Sequence, residues 1–279
     1  MVAVCGFELY FDKIMPYDRG KHCMKKWAVI IVWAIAGLIF AESVDELLKI
    51  GDHFLKRGEY EDALKNYRRA ESIDPDNPQV LWRIGAAYNL KAQNFIEKTR
   101  LDTLKAGNTY LSKAIKLDKE IPQAHSQLAY NLALMILFTE NVEDIKDFAI
   151  ISRVKEEIDY ALKLDSKDAL AHYVLGLWHQ QVGKISILKR KPHGLGDADT
   201  SKALEEFKKA TKYDENCAEY WYMLGREYIA KGDTSSALKC LKRATETPTT
   251  PRNKQFIENA QELIDTIIGK NQSQETKGE

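Results

Sequence analysis

Cysteine is scarce in this chain, with four residues among 279, and none of the four sits in a C-x-x-C or Cys/His spacing. That excludes a dense disulfide framework, a structural zinc site and a dithiol redox motif. Cys5 and Cys23 fall near the start. Cys217 and Cys240 fall on two successive predicted helices, where they stand either as buried thiols or, in an oxidising compartment, as a pair. An excess of either charge is also lacking, because 41 Lys and Arg are matched by 41 Asp and Glu. No global basic field is available to neutralise phosphates, so nucleic acid is not an expected partner. Long apolar runs are absent apart from Trp27–Ala41, which is shorter than the roughly 20 residues a membrane-crossing helix needs.

That run follows Lys25 and Lys26 and precedes Glu42 and Ser43, the three-part layout of a secretory signal peptide. Cleavage after Ala41 is the first expectation, and an uncleaved anchor is the alternative. Residues 1–23 read as an upstream extension of the frame before Met24, and 24–41 as signal peptide or signal anchor. The expected location is periplasmic or secreted in a bacterium, with attachment to the inner membrane only through an uncut N-terminal segment.

What the chain has in quantity is internal repetition. Leu47-x2-Ile50-Gly51-x2-Phe54 returns 34 residues later as Leu81-x2-Ile84-Gly85-x2-Tyr88, and again as Trp221-x2-Leu224-Gly225-x2-Tyr228. Weaker copies are His172-x2-Leu175-Gly176-x2-His179 and His125-x2-Leu128-Ala129-x2-Leu132. Each is followed by a second helical phrase, Ala63, Tyr67, Ala70 in the first unit, Ala203, Phe207, Ala210 in the fourth and Ala237, Leu241, Ala244 in the fifth. A glycine on the first helix set against an alanine on the second is the expected means of close backbone approach. Gly58 and Gly232 mark turns, and Asp74-Pro75 ends a helix.

By these residues the chain resembles the tetratricopeptide repeat family, whose 34-residue unit reads W/L-x2-L-G-x2-Y, then A-x3-F-x2-A, then P. The resemblance implies an all-α fold, a right-handed superhelix of five helix pairs. The intervals of 44, 47 and 49 residues from Leu81 to His125, His172 and Trp221 place inserts in three of them. The predicted domain is 44–268, with units at about 44–77, 78–121, 122–168, 169–217 and 218–251, a capping helix at 252–268 and a polar, disordered tail at 269–279. Ala171–Trp178 with Gln181-Val182, and the stretch from Ala203 to Leu263 through Pro248-Thr249-Thr250-Pro251, are similar to the regulator of microtubule dynamics family. That family carries a tetratricopeptide-like domain, has bacterial relatives, and implies a microtubule-associated regulator as one reading.

Catalytic chemistry finds no foothold in the pattern. His172 and His179 lie seven residues apart on one predicted helix, about 10.5 Å along its axis, too far to share a metal; His125, like them, sits at a repeat position that packing explains. Gly194-Leu195-Gly196 lacks a preceding strand and a third glycine. The insert with Lys189, Arg190, Lys191 and His193 reads as a solvated loop. No enzyme activity, cofactor or metal is therefore expected. In tetratricopeptide folds the first helices line the concave side, and the positions expected to face inward here are Trp82, Tyr130, Tyr173, Gln180, Tyr222 and Arg226, aromatic and Arg groups of the kind that dominate binding. The Lys and Asn set that clamps a C-terminal carboxylate in some family members is replaced by residues such as Asp52, Ala86, Leu177 and Arg226. The expected function is a non-catalytic scaffold or adaptor of the cell envelope holding a protein or peptide in this groove, and the alternative is a structural component that associates with copies of itself through the cap.

Overall fold

In the computed structural model residues 42–95, 97–138 and 148–275 are described, and the expectations about the leader, including Cys5 and Cys23, lie outside them. The described residues hold α-helices and no strand. They run α1 Val44–Arg57, α2 Tyr60–Ile73, α3 Pro78–Gln93, α4 Glu97–Leu117, α5 Pro122–Leu137, α6 Phe148–Leu164, α7 Ala169–Val182, α8 Ile187–Arg190, α9 Thr200–Tyr213, α10 Ala218–Ala230, α11 Thr234–Thr245 and α12 Pro251–Glu275. Residues from Val44 onward pack as one unit. The tetratricopeptide-like stack of helix pairs is α1/α2, α3/α4, α5/α6, α7/α9 and α10/α11, with α12 across the end.

Helix starts follow local chemistry. Asn77, Asp168, Asp199 and Asp233 each cap a helix by accepting a backbone N–H two or three residues on, at 2.8–2.9 Å, and Pro78 and Pro122 open α3 and α5, where a missing N–H costs nothing. The ends of second helices share a device. Asp74, Asp118, Asp165 and Asp214 each donate their backbone N–H to the carbonyl of an alanine four residues back. Those alanines, Ala70, Ala114, Ala161 and Ala210, are fully buried. The side chains of Asp118, Asp165 and Asp214 then turn to accept the N–H two residues ahead, which closes the turn into the next pair.

The glycines lie at the seam within each pair, but the partner differs from the expected alanine. A Cβ on Gly51 would run into the Tyr67 ring and one on Gly85 into Leu111; on Gly176 it would stand 2.6 Å from the Phe207 ring and on Gly225 2.9 Å from Leu241. Each glycine is a hole that receives the large residue of the second helix. The alanines flank that knob instead, because a ring this size fills the seam only where the facing helix gives up its side chain. In the third pair Ala129 takes the glycine's place.

The inserts take three forms. In the second pair they lengthen the helices, α3 to 16 and α4 to 21 residues. In the third they fall between α5 and α6, and in the fourth they form α8, a 3-10 turn at Lys191–His193 and the loop to Asp199. Arg190 folds this loop on itself, donating to the carbonyls of Ile185 at 3.0 Å and Leu195 at 2.6 Å. The cap buries Ala260 and Ile264 against Leu241 and Ala244. It runs on to Glu275, so the helix enters the stretch expected to be a disordered tail; Gly269 weakens a helix by about 1 kcal/mol without ending it, and no Pro stands there. No described helix is long and apolar enough to cross a membrane.

Candidate partner-binding pocket

The last helix comes back to the first turn. Gly58, at φ +80°, has the backbone of Arg252 lying where its Cβ would be, so the turn between α1 and α2 accepts the start of α12 at a distance only glycine allows. Asn253, 3% exposed, fixes that start. Its amide donates to the carbonyls of Asn216 at 2.7 Å and Pro248 at 3.0 Å, and its oxygen accepts from the Ala218 N–H at 3.1 Å.

This closure completes a cavity of about 110 Å³. Its polar wall is Asn89, Gln93, Gln127, Tyr130, Glu219 and Arg252. Leu55, Ala86, Leu90 and Leu170 supply apolar surface, and Lys56 reaches it from α1. Glu219, on the first turn of α10, is the centre of the network. The Tyr173 hydroxyl donates to its Oε1 at 2.7 Å and the Tyr130 hydroxyl at 3.1 Å, while the Gln93 amide donates to the Tyr130 oxygen at 2.9 Å. Burial raises the carboxyl of Glu219 above its ordinary value, against the opposing pull of the Arg252 charge and the two tyrosine hydrogen bonds. The same burial pushes the hydroxyls of Tyr130, Tyr173 and Tyr220 far up, with the Glu219 charge adding to the shift in each. All three stay protonated, and those of Tyr130 and Tyr173 donate to Glu219. Asn89 and Asn131 lock the opposite wall, Asn131 donating to Asn89 at 2.7 Å and Asn89 to Gln127 at 3.0 Å.

Arg252 carries the cation of the wall. Its Nη2 lies 3.4 Å from Cys217 Sγ, and its Nε, shielded from solvent, has no hydrogen-bond partner. Both Cys217 and Cys240 are free, buried thiols; burial pushes Cys217 up to about 12 and Cys240 up to about 11.

Of the six residues expected to face inward, Tyr130 and Tyr173 converge on Glu219, 5% and 3% exposed, their rings 6.2 Å apart. Gln180 donates to Glu227 at 2.7 Å. Tyr222 sits 5.9 Å from Phe256 of α12 with the exposed Arg226 over its ring. Trp82 stands apart, half-buried beside α4 and α5, its indole N–H donating to Gln79 and the Arg83 guanidinium above it. Glu219, Arg252, Gln93, Asn89 and Gln127 are absent from the set expected on sequence. Two signals point to them in hindsight: an acidic residue two positions ahead of Trp221, and an Arg directly after the Pro-Thr-Thr-Pro break.

The histidines have structural work. His125 Nδ1 lies 2.5 Å from Glu157 and its Nε2 2.9 Å from the Lys119 carbonyl. One pair later, His172 repeats this with Glu206 at 2.6 Å and the Ser166 carbonyl at 3.1 Å. Each imidazole ties the second helix of its pair to the preceding turn. His179 Nδ1 accepts the Asp199 N–H at 3.2 Å, holding the start of α9, and burial lowers its proton affinity. Among the described residues no cluster of three or more His, Cys, Asp or Glu could hold a metal ion.

A family model described as Regulator of microtubule dynamics protein 1-3 matches residues 47–268. Regulator of microtubule dynamics protein 3 of Rattus norvegicus is 26% identical over 204 residues, covering 68% of this chain and 41% of the rat protein. Regulator of microtubule dynamics protein 1 of Pongo abelii is 23% identical over 247 residues, covering 82% of this chain and 74% of that protein. The chain thus spans about two fifths of the rat relative's length. Among solved structures, a thermophilic TPR protein of Thermus thermophilus superposes with a TM-score of 0.56 at 15% identity, over 79% of this chain and 98% of that one, which is a likeness of fold.

Proposed function

The chain belongs to the regulator of microtubule dynamics protein 1-3 family, and from that premise we propose that it is a non-catalytic scaffold which holds a segment of a partner protein against its inner face. The observation that carries this reading is the pocket around Glu219. Helices from across the stack bring amides, a tyrosine, a carboxylate, an arginine and a lysine to one small cavity edged by leucines, the mixture of polar and apolar surface that fixes a partner's side chain in place. At about 110 Å³ it admits a side chain or a chain end and excludes a helix. Contacts beyond it fall to the aromatic and Arg groups of the expected set, Trp82, Tyr222 and Arg226, and to Gln180.

The apolar run after Lys25 and Lys26 supports an exported or envelope-attached location for this activity. Affinity capture with the mature chain tests the binding role. Replacing Trp82, Tyr222 and Arg226 together by Ala should abolish retention of the native partner while the circular dichroism melt stays cooperative. Full retention by the triple variant would contradict the proposal.

The names of the relatives favour a second reading, in which the partner is a microtubule or a protein bound to one. Co-sedimentation with polymerised tubulin separates the two. Pelleting that depends on polymer supports the second, and a chain left wholly in the supernatant removes it.

A further inference from the structure

We infer that the inner pocket is a receptor for a carboxylate, presented by the end or an acidic side chain of the bound partner and taken by the guanidinium of Arg252. The inference rests on the inner-face reading and names what the pocket selects. Four observations lead to it.

Arg252 lines the cavity, yet its shielded Nε–H has no acceptor, and an unmet charged donor is costly to keep out of water. Its one hydrogen-bond contact, Cys217 Sγ at 3.4 Å, is a weak acceptor. Because burial holds that thiol neutral, up to about 12, it brings no negative charge to balance the guanidinium. Glu219, the carboxylate in the same wall, spends its Oε1 on two tyrosine hydroxyls and acts on Arg252 through its charge, as Asp214 does, with no hydrogen bond to the guanidinium among the described residues. Lys56 brings a second cation to the lining. Among the lining residues the two cations, Arg252 and Lys56, outnumber the one carboxylate, Glu219.

Size and surroundings fit the same ligand. The cavity of about 110 Å³ exceeds the roughly 10–15 Å³ that a single water requires, and Leu55, Leu90 and Leu170 offer contact for an aliphatic stem. A carboxylate meeting the Nε and Nη2 edge would exchange the N–H···S contact for charge-assisted hydrogen bonds, which are about twice as strong as neutral ones.

The Nε–H resonances of the full chain labelled with 15N-arginine read this directly. Titration with N-acetyl-alanine should shift one of them saturably, and N-acetyl-alaninamide, the same molecule without the charge, should leave it still. Arg252→Lys should remove that resonance and weaken binding of the acid about tenfold or more. Lys56→Gln, a change on an exposed residue that spares the fold, should weaken it about two- to fivefold. Equal responses to acid and amide, or none to either, would overturn the inference whether or not Arg252→Lys folds. So would methyl phosphate binding more than about tenfold tighter than the acid, which would make phosphate the ligand. Failure here with partner capture still lost in the Trp82, Tyr222, Arg226 variant would leave the scaffold reading standing, so the two are separable.

Discussion

The seams inside the helix pairs and the wall of the inner pocket are built on different principles. At a seam a glycine or alanine on one helix meets a large apolar residue on the next, as Gly176 meets Phe207 and Ala129 lies in the pair that buries Ile158. Its parts come from neighbouring segments of chain and leave little polar surface to satisfy. The pocket joins Tyr130 to Glu219 across 89 residues and Gly58 to Arg252 across nearly the whole stack. At its centre Asn89, Tyr130 and Glu219 are polar, buried and held by hydrogen bonds. The seams give the stack its stability, and the pocket depends on the stack closing correctly.

Substitutions should separate the two in order of effect. Phe207→Ala empties the hole at Gly176 and should cost about 3–5 kcal/mol in urea denaturation. Gly176→Ala overfills the same seam and should cost about 1–3 kcal/mol. Tyr173→Phe removes one donor to the buried Glu219 and should cost about 1–2 kcal/mol, with a larger fractional effect on partner binding than on stability. A seam variant that spared stability, or Tyr173→Phe that unfolded the chain, would break the distinction.

Acid–base behaviour sharpens it, because two buried carboxylates respond in opposite senses. Burial pushes Glu206 up, but hydrogen bonds and charge from His172 and Lys209 outweigh it and leave the group depressed. Its contribution is present above the unfolded carboxylate value of about 4.3 and is lost as pH falls through the depressed one. Glu219 is raised by burial. Its contribution is present below about 4.3 and is lost as pH rises through the raised value. Urea midpoints measured from pH 3 to 7 should show Glu206→Gln flattening the loss on the acid side and Glu219→Gln flattening the loss on the rise. Identical profiles for the two variants would contradict this assignment.

Thiol reactivity gives a further reading of the pocket wall. With Cys217 and Cys240 held up to about 12 and about 11, a thiol reagent should label them about 100-fold or more slowly in the folded chain than in urea. Rapid labelling of Cys217 under native conditions would mean that the pocket wall is open.

The same contrast explains what is legible in the chain alone. The helix pairs follow from a phrase that repeats, since Leu47, Leu81 and Trp221 each stand three and four residues ahead of an apolar residue and a glycine. The inserts are countable from the widened intervals, and their shapes are not: a longer α4 and the folded loop about Arg190 depend on contacts that no period encodes. Within the inner face, Tyr130 and Tyr173 are legible as aromatics on first helices. Their shared acceptor is not, because Glu219 lies outside the repeated phrase and Arg252 reaches the site only when α12 folds back on Gly58. The residue facing each glycine also differs from the expected one. Spacing shows which positions are small and leaves open whether small meets small or small meets large.

Closure of the stack is what all of this turns on, and hydrogen exchange in Gly58→Val tests it directly. A side chain at φ +80°, set against the backbone of Arg252, should release the start of α12. Peptides covering residues 251–260 and the first turn of α10 should then lose protection, while those from the second to fourth pairs keep theirs. Protection unchanged at 251–260, or lost evenly along the chain, would contradict the account.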